Sequence, residues 1–185
     1  EWFADEVPPR AYTNERGFWL SQTEVTRDQY YAVVGFYPES RVPQYFSGDY
    51  PATEWTRPKI EVFLEKLAAA AEGVFRLPTG DEWAYACRAG AGTLFPWGND
   101  VEALPQYAWT RANRPGFIHP VAARQPNLWE VTLPPGATAL PVDHWPIRGG
   151  SVNQHAPRTR PAFLAEVPTA ALNSRFIGLR ILREP

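Results

Sequence analysis

The part of this chain richest in groups that could do chemistry reads RGGSVNQHAPRTRPAF, Arg148 to Phe163. A glycine pair follows an arginine, and then come Ser151, His155 and two further arginines, Arg158 and Arg160. Guanidinium groups there could grip a carboxylate or phosphate through paired N–H donors. His155 together with Asp143 and His144 in VDHW would offer a metal two imidazoles and a carboxylate. Ser151 is a weaker case: the strained G-x-S-x-G turn that exposes a nucleophilic serine is absent, and glycine before serine is common in turns. His119, in IHPV, reads as a loop histidine bonded to backbone rather than as a ligand.

The elements that must position these groups are legible mainly in the first half. GFWLSQ suits a short strand. EVTRDQYYAVVG reads as a helix with Thr23 or Thr26 as N-cap and Gly35 at its C-terminal end. The next helix has Thr56 as N-cap and Pro58 in its first turn. Ile60, Phe63, Leu64 and Leu67 lie on one face, and Gly73 is expected to end it. Val74–Leu77 reads as a strand, and Thr79 with Glu82 makes a T-x-x-E capping box for a helix that stops near Gly90. Asp81 and Glu82 are thereby assigned to the helix terminus rather than to acid–base work. Turn-rich sequence follows, then two strands, WPIRGGSV and FIGLRILRE. This pattern predicts an α+β fold, with two to three helices and a small, mostly antiparallel sheet rich in loops. One domain over residues 1–185 is expected.

Composition narrows the function classes. The net charge of -2 gives no reason to expect nucleic acid or an acidic membrane as partner. No apolar run is long enough to span a bilayer. The single cysteine, Cys87, excludes an internal disulfide and sits in a helix where small residues pack, so it reads as a buried free thiol. Twenty prolines and eight tryptophans point to ordered irregular loops held by aromatic wedges. A start at Glu1 without any methionine fits a processed product with a clipped N-terminus, and it says nothing of address.

Four stretches, in order, resemble the formylglycine-generating enzyme family, also called sulfatase-modifying factors. They are WLSQTEVTRDQYYAVVG; FRLPTGDEWAYACRAG with FPWGN; YAWTRANRPGFIHPVAARQPNLW; and IRGGSV with FIGLRIL. The family reads E-V-T-x-x-Q-Y, R-L-P-T-E-x-E-W-E-Y-A-A-R-G-G, P-W-G-N, H-P-V-G-x-x-x-P-N-x-W-G-L, R-G-G-S-W and a closing G-F-R. The resemblance spans nearly the whole chain and implies a modified C-type-lectin-like fold. It also implies a site. Members that oxidise cysteine to formylglycine carry two cysteines, five residues apart, just after R-G-G-S. Those positions fall here on Gln154 and Thr159, which can neither bind copper(I) as thiolates nor exchange disulfides. Where the family cradles calcium, this chain has EVTLPPGATALPVDHW. Glu130 and Asp143 alone do not make the oxygen cage calcium needs, so that site is expected to be absent. A calcium site elsewhere, for example near Asn113, stays open.

These residues point to a scaffold without the family's cysteine chemistry: no catalytic residue, no cofactor, and a regulatory or binding role. The resemblance extends to non-catalytic periplasmic relatives that act in bacterial type VI secretion, upstream of a membrane threonine kinase, and so implies a periplasmic address. It implies protein partners such as the periplasmic part of that kinase or an outer-membrane lipoprotein. The expected binding surface is Glu130–Trp145 with Asn153–Arg160, centred on Trp145, Asn153, Gln154, His155, Arg158 and Arg160. Two readings compete. One is a metal-dependent oxidase built on His144, His155 and Asp143. The other is a module that binds a small anion through arginines among Arg148, Arg158, Arg160, Arg175 and Arg180.

Overall fold

The computed structural model describes residues 12–13, 16–38, 47–110, 113, 118–123, 128–152 and 156–185. Asn153, Gln154 and His155 lie outside them.

Two small sheets and a helical layer make up the architecture. Helix α1 is Arg27–Val34 and α2 is Arg57–Ala70. α3 is Gly80–Arg88, and α4 is one turn, Leu104–Tyr107. The strands are β1 Trp19–Leu20, β2 Phe75–Arg76, β3 Trp129–Val131, β4 His144–Arg148, β5 Leu164–Pro168, β6 Ile177–Leu179 and β7 Leu182–Arg183. One sheet has the order β1-β7-β2 and the other β5-β4-β3-β6. The named strands pair antiparallel except β3 with β6. The fold is thus α+β with small, mostly antiparallel sheets, as the sequence predicts, and the extra helix is the single turn α4.

Local chemistry sets the helix starts. Thr26 accepts from Gln29 N, while the Gln29 side chain accepts from Thr26 N, a capping box that the sequence reading left unrecognised. Thr79 and Glu82 form the expected box, and Thr56 caps α2 with Pro58 in the first turn. α2 ends earlier than Gly73, at Ala70, with Ala71 already extended. Gly35 does close α1 in the left-handed conformation, φ 93°.

The core joins α1 and α2 to the larger sheet. Tyr30 stacks on Phe63 at 5.7 Å and meets Trp55 edge-on at 5.4 Å. Trp55, Ile60, Leu77, Val131, Trp145 and Leu179 are all buried there. FIGLRILRE is not one strand. Arg180 and Ile181 separate β6 from β7, so the chain leaves one sheet and enters the middle of the other.

Candidate functional site

Beneath the RGGS turn lies a cluster of charged side chains. Glu24 and Glu130 are 1% and 2% exposed, in a region otherwise apolar. Glu130, central in β3, spends both carboxylate oxygens. Trp83 Nε1 donates to its Oε2 at 2.6 Å, and Arg180 Nη2 donates to its Oε1 at 3.0 Å. Arg180 Nε also lies 2.8 Å from Glu130 Oε2, and its Nη1 donates to the Gln22 carbonyl at 3.1 Å. Burial pulls the Arg180 guanidinium down, but Glu130 and Glu24 outweigh it and leave it above its ordinary value.

Glu24 is the exception in this cluster. Its Oε1 accepts a long bond from Leu128 N at 3.3 Å, while its Oε2 is buried without a hydrogen-bond partner among the described residues. Burial, with the Glu130 charge added, pushes this carboxyl up to about 7 against the pull of Arg180. Two carboxyls therefore face one guanidinium, and the unpaired one holds a proton near neutrality.

The glycine pair forms the roof. Gly149 and Gly150 take φ of 90° and 70°. A Cβ on Gly149 would sit 3.0 Å from Trp83 Cζ2, and one on Gly150 would sit 2.8 Å from the Arg158 carbonyl oxygen. Glycine is needed at both places because the turn is pressed between the Trp83 ring and the 3-10 turn Ala156–Thr159. Arg148 staples the far end of that loop, its Nη1 donating to the carbonyls of Pro161 and Ala162. Cys87 is part-buried as a residue. Burial dominates at its thiol and pushes it up to about 12, so the thiol stays protonated and inert.

Several expectations are corrected here. Trp145 is fully buried, its indole N–H donating to Thr169 Oγ1 at 3.1 Å; it is a core wedge and not a binding residue. Thr159 and Arg160 are 5% and 3% exposed, so neither offers the surface assigned to them; Arg158 is exposed, over the Phe163 ring. The segment Glu130–Trp145 is buried at both ends, because β3 and β4 enter the sheet, and only its middle, about the Pro135–Ala139 turn and Val142–His144, reaches solvent. Asn113 is consumed locally. Its side-chain oxygen accepts from Thr110 N, and its NH2 donates to the carbonyls of Pro105 and Ala108. That leaves it poorly suited to calcium. Asp143 and His144 are exposed at the start of β4, at the opposite end of the strand from Arg148. Glu130 pairs in register with Arg148, so Glu130 and Asp143 do not share a site. The reading of the arginines as ties for loop groups stands: Arg148 and Arg180 bind loop carbonyls and a carboxylate. His119 stacks on Trp109 at 3.8 Å, a ring contact rather than the backbone bond expected of it.

Glu24 and Trp83 were missed as members of one cluster. EVT was read as a helix entry and GDEWAY as a capping motif. Only their neighbour Glu130 carries a signal, as a lone acid between apolar residues in W-E-V, which in a buried strand needs a partner.

A family profile, described as sulfatase-modifying factor enzyme 1-like domain, matches residues 2–185. The chain belongs to that family. No curated protein sequence matches it. Among solved structures, Treponema denticola variable protein 1 is 19% identical with a TM-score of 0.74, covering 91% of this chain and 84% of that one. PvdO from Pseudomonas aeruginosa is 19% identical with a TM-score of 0.75, covering 91% and 80%. CarF is 20% identical with a TM-score of 0.65, covering 91% and 86%. At such identities the likeness establishes the fold. The sulfatase-modifying-factor fold is thus the fold of this chain.

Proposed function

We propose that this chain is a non-catalytic regulatory member of the family, acting by protein–protein contacts. Its setting would be the periplasm, as an activator in a type VI secretion threonine-phosphorylation pathway, in the manner of TagR, which it resembles in its cysteine-free GGS segment. The observation that carries the reading is the fate of the groups around the RGGS turn. Glu130, Arg180 and Trp83 satisfy one another, Arg148 is tied to loop carbonyls, and the second cysteine position is a buried Thr159. Polar groups locked to each other inside a core hold a shape and leave little for a substrate. Function then falls to surface loops on a rigid scaffold.

The test is reconstitution. The purified chain is added to the membrane threonine kinase in liposomes, and phosphorylation of the kinase substrate is followed. A rise in phosphorylation that saturates at one chain per kinase is the expected result. In parallel, the chain is incubated with copper(I) and a cysteine-containing sulfatase peptide. Conversion of that peptide to formylglycine, or no effect on the kinase, would count against the regulatory reading.

A further inference from the structure

The four-stranded sheet has two edges, and they are finished differently. β6 is buried throughout, and the Leu179 carbonyl on it accepts from Val25 N at 2.8 Å. β5 pairs only with β4 among the described residues. The direction of its backbone groups follows from two hydrogen bonds. Thr132 N donates to the Pro146 carbonyl at 2.9 Å, so Pro146 turns its carbonyl toward β3. By the alternation of an antiparallel ladder, Trp145 and Ile147 turn theirs toward β5, onto their register partners Val167 and Ala165. Thr169 N donates to the Asp143 carbonyl at 2.8 Å, which continues the same phase. Leu164 and Glu166 therefore direct their N–H and C=O groups away from the sheet, and Pro168, with no N–H, ends the row. The Leu164 side chain is 47% exposed, and Glu166 and Pro168 are exposed beside it.

We propose that the β5 edge is a docking site for an extended segment of a partner protein. That segment adds as a further strand, with an apolar side chain near Leu164 and a lysine or arginine opposite Glu166. The proposal rests on reading the chain as a protein-binding module and names where the partner sits. Open edges in natural sheets are usually blunted, often by lysine, a bulge or a covering loop. Here the only charge within the strand is the Glu166 carboxylate. An incoming strand is thus selected by a cation across from it, since opposite charges on facing positions stabilise pairing and like charges oppose it. A second copy of this chain fits less well. Antiparallel pairing centred on the strand sets Glu166 against Glu166 and Leu164 against Pro168, which cannot donate.

The experiment uses the isotope-labelled full chain and three synthetic peptides. The first is an alternating valine–threonine peptide with a central lysine. The second has glutamate at that place, and the third is the lysine peptide N-methylated on alternate residues. The lysine peptide is expected to slow amide exchange at Leu164 and Glu166 at least tenfold, while Ala165 and Val167 are already slow without it. Glu166→Lys should weaken the lysine peptide roughly tenfold and strengthen the glutamate peptide by a similar factor, with Glu166→Gln between them. Four results overturn the proposal. The first is protection of the Leu164 and Glu166 amides in the free chain at every concentration. The second is protection that grows with protein concentration alone, which makes a second copy the occupant. The third is equal binding of the lysine and glutamate peptides, and the fourth is no effect of N-methylation. Kinase activation that survives Glu166→Lys together with any of these sinks the edge and spares the regulatory reading. Peptide protection without kinase activation does the reverse.

Discussion

Replacing Glu24 by glutamine isolates the cost of a carboxyl with one oxygen left unpaired in the core. The Glu24 carboxyl is pushed from an ordinary value of 4.5 to about 7, by burial first and the Glu130 charge second. A raised carboxyl means that the folded chain holds a proton the unfolded chain has released. Stability from this group is fully present below about pH 4.5 and is lost as pH rises toward 7. At about 1.4 kcal/mol per unit, the loss across that window amounts to about 3 kcal/mol. Burial is complete, so solvent screening removes little of it. Glutamine keeps an acceptor for Leu128 N and carries no titrating group. Glu24→Gln should therefore match the wild type near pH 4.5 and exceed it by about 3 kcal/mol at pH 8. In thermal unfolding that is a gap on the order of 10 °C for a chain of this size. Urea unfolding of both proteins at several values from pH 4.5 to 8 gives the difference directly. Parallel pH profiles, or a constant deficit for the variant, would refute the claim that Glu24 is protonated in the folded chain.

Other variants probe the same region. Arg180→Met should cost more than 3 kcal/mol at neutral pH, because it strands two buried carboxyls, and Glu24→Gln added to it should recover part of that loss in denaturant unfolding. Gly149→Ala should destabilise by about 2 kcal/mol, since φ is 90° and the new methyl meets Trp83; a value below 0.5 kcal/mol would mean that the turn yields. Cys87, pushed up to about 12, should react with a disulfide reagent at pH 8 at least 100-fold more slowly than a free thiol, and unfolding should restore the rate.

The sequence reading recovers what is local and misses what is distant. Thr79 with Glu82, Thr56 with Pro58, and Gly35 announce helix ends because cap and capped group lie within a few residues. The strands carry little signal of their own. β1, β2 and β7 have two residues each, too few for an alternation to show, and β3 is buried on every residue. What makes Trp129–Val131 a strand is Ile177–Leu179 on one side and His144–Arg148 on the other. Trp145 fails as a surface residue for the same reason: its burial is decided by the helices and strands packed over it, not by its neighbours in VDHWPI. Glu24 is hidden most deeply, because its protonation is set by burial first and then by the charges of Glu130 and Arg180, all supplied by residues remote along the chain. Trp19, 58% exposed, is equally invisible, since its edge strand is defined by Leu182 and Arg183 across from it.

The switch between sheets at Arg180–Ile181 governs when this domain can fold. β7 is the centre of one sheet, and β1 and β2 pair with it but not with each other. β6, just before it, supplies the parallel partner of β3, and the arginine between them pairs with the buried Glu130 carboxylate. A growing chain that has not yet delivered residues 177–183 holds two orphan strands, an unpaired strand side and a Glu130 carboxylate without its arginine. Assembly must wait for that segment, so folding is governed by distant contacts and is expected to be slow. The half-made chain can form its capped helices, but neither sheet is complete until residues 177–183 arrive.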